Sequence, residues 1–356
     1  MKKNQMLFRS LFIWGMLITS VLLSGCGLRF YPKPIFTNIH EKKEKKSDEE
    51  KNRVLSLACW NTQTFFDAVT DGCEYTEYKN SSKWTKEKYI KRLNKLCEVM
   101  TLLNADVVVL EEIENEAVVQ DIVNRLTDGA WSKKRGWQYA CFTKEGDSAI
   151  GCAVFSRYEL KNLSAHSLDI QVHKTKQPSS RPIMQLTVCI GEKELELFVN
   201  HCKSKSGGEE ETEIWRDWQE AVLADKLTEY ITNERSVVIC GDFNRSVEDF
   251  IPAEEGFLVK DKSNIILRGV NDSPAYIYSP WFLENGRFAT EIGSYYYDDS
   301  WERIDNFFFC GKIEINQFQP VAEAPVADED SIPQGYKVYT DSGCSDHLPL
   351  KCVVSI

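Results

Sequence analysis

Val237-Val238-Ile239-Cys240-Gly241-Asp242-Phe243-Asn244 is an apolar run that stops at a glycine and then presents a carboxylate and an amide. A short continuous apolar run bounded by a turn residue reads as a strand buried on both faces. Other stretches share the form. Leu57-Ala58-Cys59-Trp60-Asn61 ends in an amide, and Ala105-Asp106-Val107-Val108-Val109-Leu110-Glu111-Glu112 ends in two acids. Val199-Asn200-His201-Cys202-Lys203 brings a histidine to a strand end, and Gly343-Cys344-Ser345-Asp346-His347-Leu348-Pro349 brings an Asp-His pair. Strand ends of this kind gather metal ligands and proton-transfer groups at one edge of a sheet.

Between these runs the pattern alternates. Val54–Trp60, Val107–Leu110, Gln138–Phe142, Cys152–Phe155, Met184–Ile190, Leu195–Asn200, Val237–Cys240 and Phe307–Phe309 read as strands. Lys86–Leu103 has apolar residues at Tyr89, Ile90, Leu93, Leu96, Cys97 and Met100, a helical spacing, and Asn115–Leu126 and Ile214–Tyr230 read as further amphipathic helices. Alternation of strand and helix argues an α/β class. At 356 residues, 42% apolar and 27% charged, the chain can bury a sizeable core within one large domain.

Residues 1–25 carry Lys2, Lys3 and Arg9, an apolar stretch from Leu11 to Leu23, and then Leu23-Ser24-Gly25-Cys26. The apolar core is short for a membrane-spanning helix, which needs ~20 residues. The segment resembles a bacterial lipobox, which implies export, lipidation of Cys26 and attachment to the cell envelope through an N-terminal lipid. Glu41 to Arg53 is almost wholly charged, with both signs, so residues 26–53 read as a flexible tether to a catalytic domain at 54–356. The net charge is −11, and loss of the three cations in residues 1–25 takes it to −14. Such a surface repels nucleic acid and anionic lipid at long range, so a polyanionic substrate needs a local basic patch and a cation. Of twelve cysteines, six (Cys59, Cys152, Cys189, Cys240, Cys310 and Cys352) fall in apolar strand-like runs and no metal-binding Cys spacing occurs, so mostly buried free thiols are expected.

The ordered motifs resemble those of the endonuclease/exonuclease/phosphatase family, the DNase I-like phosphodiesterases and phosphatases, from about Val54 to the C-terminus. Trp60-Asn61 stands for the first-strand Asn, and Leu110-Glu111-Glu112-Ile113 for the metal-binding Gln-Glu, with Glu111 where the family usually has Gln. Asn200-His201, Gly241-Asp242-Phe243-Asn244, Arg303-Ile304-Asp305 and Ser345-Asp346-His347 follow in the family's order. The resemblance implies a four-layer α/β sandwich: two mixed β-sheets face to face, flanked by helices.

It also implies chemistry. Mg²⁺, with Mn²⁺ as a substitute, would sit on Glu112 with Asn61 and Asp346, since hard oxygens suit that ion. His347 would pair with Asp305. Asp242 is the other candidate base, Asn244 would donate to a non-bridging oxygen, and His201 would donate a hydrogen bond or proton near the scissile group. His201, where abasic-site endonucleases resemble Asn, disfavours a repair enzyme.

Lys203-Ser204-Lys205-Ser206-Gly207-Gly208 looks like a run found in extracellular bacterial nucleases of the family. Lys203, Lys205 and Arg181 are therefore the cations expected to meet phosphate. The expected substrate is nucleic acid, cleaved with low sequence specificity. A phospholipase C or an inositol-phosphate phosphatase is the alternative, and a non-catalytic binding lipoprotein a third. No protein partner is legible. His40, His166 and His173 read as ordinary surface or packed histidines. Two segments stay open: Trp281–Trp301 is either packing or a stacking surface for a base, and Ala322–Ser342 either a substrate wall or a solvated insertion.

Overall fold

The computed structural model describes residues 53–79, 83–127, 136–146, 148–168, 180–251, 263–269 and 274–356. The export signal, Cys26 and nearly all of the charged tether lie outside the described residues, as do His40 and His173. Among the described residues no helix is long and apolar enough to cross a membrane.

The first sheet is built on β1 (Val54–Phe65), which runs parallel to β2 (Val107–Ile113). Along β1 the side chains alternate. Leu55, Leu57 and Cys59 join a core shared with the second sheet, while Ala58 and Trp60 point into the core under the helices. That is why the run is apolar without interruption: both of its faces are covered.

β3 (Tyr139–Thr143) and β4 (Gly151–Ser156) extend the sheet beyond β2. The second sheet holds β5 (Glu159–His166), β6 (Ile183–Ile190), β7 (Lys193–His201) and β8 (Val237–Asp242). After β9 (Ile265–Leu267) pairs with β10 (Ala275–Ile277) and β11 (Tyr295–Tyr297) with β12 (Ser300–Glu302), β13 (Asp305–Cys310) closes the second sheet beside β8. β14 (Glu314–Pro320) and β15 (Leu350–Ser355) return to the first, whose order is β14-β15-β1-β2-β4-β3.

Helix α1 (Lys86–Leu103) starts where the Thr85 side chain accepts the Lys88 N–H and ends at Asn104 in the left-handed region, at φ 46°. With α2 (Glu116–Thr127) it buries Leu93, Leu96, Met100, Val119 and Ile122 on the outer face of the first sheet. From α3 (Glu209–Thr232), Leu223, Ala224 and Leu227 join the core of the second. The result is the expected sandwich of two mixed sheets with helices outside.

The expected strands and helices are all present, with ends that differ by a few residues. β5, the short β9, β10, β11 and β12, and β14 and β15 were not read as strands. β5 and β14 are edge strands, half-exposed and polar on one side, so they lack the apolar run that betrays a central strand. Cysteines among the described residues are free, and eight of the eleven are buried, as expected of small apolar side chains. Ala322–Ser342 is partly packed: Val326, Tyr336 and Val338 are buried and Lys88 Nζ donates to the Val338 carbonyl at 2.5 Å, while Glu323, Asp328, Glu329, Asp330 and Tyr339 are exposed.

One relationship orients everything else. Val54 pairs with Ser355 at one end of the first sheet, and Asn61 sits at the other. The chain therefore enters the domain at the pole opposite the ends of β1, β2, β7 and β8.

Candidate active site

His201, Asp242 and Asp305 stand side by side on three adjacent strands. β7 and β8 are parallel and pair His201 with Asp242, and β13 runs back so that Asp305 faces Asp242 as well. Gly241 makes this possible. Its φ is 137°, and a Cβ there would fall 1.8 Å from the Asn200 carbonyl oxygen, so only glycine lets β8 approach β7 just before Asp242.

The first sheet meets this row through Asn61 and Glu111, which are paired across β1 and β2. The Asn61 amide nitrogen lies 3.1 Å from Glu112 Oε1 and 3.1 Å from Asp242 Oδ2, donating to both. Glu111, fully buried, accepts the Asp242 backbone N–H at 3.0 Å, and the Cys59 thiol donates to it at 3.2 Å. Alternation would turn Glu112 away from the site. Instead the ladder between β2 and β4 shifts register between Glu111 and Ile113, and Glu112 takes φ 63°. This irregularity swings its carboxylate to the site, where Oε2 accepts the Thr64 N–H at 2.5 Å.

The closing motif is tied in from a third direction. His347 Nδ1 lies 2.7 Å from Asp305 Oδ2. Ser345 Oγ donates to the Asn61 carbonyl at 2.7 Å, and Trp60 Nε1 donates to the His347 carbonyl at 3.0 Å. Tyr295 covers the imidazole with ring centroids 4.8 Å apart. Trp281 is fully buried and donates to the Asp305 carbonyl at 3.1 Å, so the first part of the aromatic segment is packing, while Tyr297 is exposed.

Charge in this site is crowded. Burial, with Asp305 close by and despite His347, lifts Asp242 to about 7. Burial, aided by Cys59, Asp242 and Asp305, pushes Glu111 well above the usual carboxylate range, which favours its neutral form at the place where the family usually has Gln. Burial would discharge His347, but Asp305, Asp346 and Asp242 outweigh it and hold the imidazolium well above its ordinary range. His201 is the opposite case: burial, then Arg181 and His347, depress it strongly, so it is neutral. The surroundings of Asp242 thus shift its two neighbouring histidines in opposite directions.

A divalent cation fits these residues. Glu112 and Asp242 converge on the Asn61 amide, among the described residues no Lys or Arg pairs with either, and Asp305 beside Asp242 makes its ionisation costly. Ligand atoms lie within 4.8 Å of one another in the sets Glu111, His201, Asp242 and Asp242, Asp305, His347; these adjoin Glu112 through the Asn61 amide but include none of the expected ligands Asn61, Glu112 and Asp346. Asp346 is half-buried beside Gly335 and Gln63, next to the pair formed by Asp305 and His347.

The remaining expected residues are placed less simply. Asn244 uses its amide nitrogen on Asp242 Oδ2 at 3.0 Å and on the Cys202 carbonyl at 3.2 Å, so here it holds the aspartate. Arg181 donates to the carbonyls of His201 and Cys202. Lys203 Nζ donates within its own loop, to Ser204 and Ser206, and Lys205 is paired with Glu209 and Glu302. The three cations flank the site but are already engaged.

Arg92 escaped the sequence reading. It is buried on α1 and donates to the carbonyls of Thr62, Gln63 and Thr64 while stacking on Phe65 and Tyr336, so it fixes the turn that follows Asn61. The available signal was a lone guanidinium on the apolar stripe of a helix. Glu111 was noticed only as an odd acid.

A model of the Endonuclease/Exonuclease/phosphatase family matches residues 56–350, and the chain belongs to that family. It is a metal-dependent phosphoric-ester hydrolase. Among solved structures it is similar to truncated TDP2 of Caenorhabditis elegans, with TM-score 0.53 and 13% identity, covering 85% of this chain and 98% of that one. The human Nocturnin catalytic domain, solved with a bound sulfate anion, gives TM-score 0.51 and 16% identity over 85% and 94%. An endonuclease/exonuclease/phosphatase family protein from Bacteroides thetaiotaomicron gives 0.51 and 12% over 86% and 99%. A search of the curated proteins by sequence found no match.

Proposed function

We propose that the protein is an exported, membrane-anchored, Mg²⁺-dependent phosphodiesterase that cleaves nucleic acid with low sequence specificity. The observation that carries this reading is the arrangement around Asp242: His201 and Asp305 pair with it from the two neighbouring strands, and Asp305 in turn holds His347 Nδ1 at 2.7 Å. Hydrolysis of a phosphodiester needs a group that takes a proton from water and another that meets charge developing on phosphoryl oxygen. Asp242 in its ionised form, fixed by Asn61 and Asn244, is placed to accept the water's proton. His347, oriented by Asp305 and covered by Tyr295, presents a positive N–H to the phosphate. Neutral His201 is available as a hydrogen-bond donor beside Asp242, with Nε2 3.8 Å from its carboxylate.

Mg²⁺, when bound through Glu112 with Asn61 and Asp346, would neutralise phosphoryl charge and lower the cost of bringing an anion to this acidic site. Support for a nucleic-acid substrate comes from the run Lys203-Ser204-Lys205-Ser206-Gly207-Gly208 beside His201 and from a similar structure, TDP2 of D. rerio complexed with single strand DNA product, at 18% identity and TM-score 0.52. The deciding assay offers the purified protein DNA, RNA, sphingomyelin and inositol phosphates in Mg²⁺. Cleavage of DNA or RNA is expected. Turnover of a phospholipid or inositol phosphate alone would replace the nuclease reading with that of a headgroup hydrolase.

A further inference from the structure

Away from the catalytic row, a second group of acids closes around one point. Asp71 and Glu74 come from the loop that leaves β1, and Glu114 is the residue just after β2. One carboxylate oxygen from each lies within 4.8 Å of the other two.

An acidic cluster alone says little, because carboxylates on a loop are ordinarily solvated. Here one of them is not. Glu114 is fully buried: its Oε2 accepts the Asp67 N–H at 2.6 Å, and its Oε1 has no hydrogen-bond partner. Glu74 is also buried and accepts the backbone N–H groups of Asp71 at 2.5 Å and Gly72 at 3.0 Å. Among the described residues no Lys or Arg pairs with any of the three. Lys79 Nζ, which reaches this loop, donates to the Gly72 carbonyl instead. An unsatisfied carboxylate oxygen in the interior is costly, and costlier beside two further acids. Something positive would relieve it.

We propose that Asp71, Glu74 and Glu114 form a binding site for one Ca²⁺ ion, separate from the catalytic metal site. The donors are hard oxygens, which suit Ca²⁺, and its Ca–O distances of about 2.3–2.6 Å place opposite ligands roughly 4.8 Å apart. Asp71 is exposed, so water can complete the coordination on that side. Bound there, the ion ties the loop after β1 to the end of β2. Glu114 is two residues past Glu112 and already donates its backbone N–H to the Phe65 carbonyl at 3.1 Å. The ion thus braces the segment that carries Glu112 without touching the reacting atoms.

The test uses the full chain, stripped with chelator and titrated with Ca²⁺ by calorimetry and thermal melting. Ca²⁺ is expected to bind and raise the melting temperature in the wild type, and to do so as well in Glu112→Gln, whose change lies in the catalytic site. In Asp71→Asn, a surface substitution compatible with folding, Ca²⁺ affinity should fall at least tenfold and the rise in melting temperature should disappear. The proposal is overturned if the wild type binds no Ca²⁺, if Glu112→Gln abolishes all Ca²⁺ binding, or if Asp71→Asn binds as the wild type does. Glu114→Gln supplies a check on the buried oxygen. If that variant, without Ca²⁺, melts where the Ca²⁺-saturated wild type does, while the wild type is unaffected by Ca²⁺, a protonated Glu114 accounts for the burial and the site does not exist.

Discussion

His347 Nδ1 and Asp305 Oδ2 meet at 2.7 Å where neither side chain is appreciably exposed; Asp305 opens β13 of the second sheet, and His347 lies in the loop that leads into β15 of the first. Two groups in such contact work as a unit. His347→Ala or Asp305→Asn alone should lower kcat by roughly 10²–10⁴-fold, the range for lost proton-transfer catalysis. The double variant should cost little more than His347→Ala. Steady-state kinetics on the four proteins checks this, and additive losses would show that the two residues act separately.

The same pair sets a pH dependence of stability. Because the folded-state pKa of His347 is raised, its contribution is fully present below the ordinary histidine value of about 6.5 and is lost as pH rises through the folded value. Thermal melts of Asp305→Asn should therefore differ from the wild type most in mildly acid buffer and converge in alkali.

Asp242 is raised to about 7, so in chelated protein the folded state holds a proton that the unfolded chain has released. Between the ordinary aspartate value near 4 and about 7, stability should fall as pH rises, by about 1.4 kcal/mol per unit from this group. Mg²⁺ should cancel part of that fall by favouring the ionised carboxylate. Denaturant titrations across pH, with and without Mg²⁺, read both effects; identical curves would remove the cation from this site.

Glu112→Gln keeps the size of the side chain and removes its charge. Activity should vanish with chelator in the wild type and return with Mg²⁺ or Mn²⁺, whereas the variant should need much more metal and turn over more slowly. An enzyme indifferent to chelator would contradict this assignment.

Binding of DNA should depend modestly on salt. With Lys205 paired to two glutamates and Lys203 tied to its own loop, about two to four phosphates should be contacted, each adding roughly −0.9 to the slope of log affinity against log salt. Lys203→Ala/Lys205→Ala should flatten the slope while sparing a small chromogenic phosphodiester. For the anchor, Cys26→Ser should release the protein from membranes or leave it unprocessed; lipid labelling equal to the wild type would exclude the lipobox.

Much of the fold was legible because central strands covered on both faces cannot hide: Val107–Leu110 and Val237–Cys240 are apolar without a break. β14, with Glu314, Asn316, Gln317 and Gln319 outward, follows no such rule and pairs only because β15 offers it an edge. At the site, the ends of the apolar runs gave Asn61, Glu112, His201 and Asp242. What stayed hidden depends on distances between sheets. Nothing along the chain says that Glu111 reaches across to the Asp242 amide, or that Arg92 clamps the turn after Asn61.

The chain enters the domain at Val54, and Asn61 lies seven residues further along the same strand, about 23 Å away at roughly 3.3 Å per residue. Upstream chain thus joins the domain at the pole away from Asn61, and the proposed tether would be attached behind the catalytic edge. An enzyme attached at that pole would keep its catalytic edge open to substrate whatever lies at the far end of the tether.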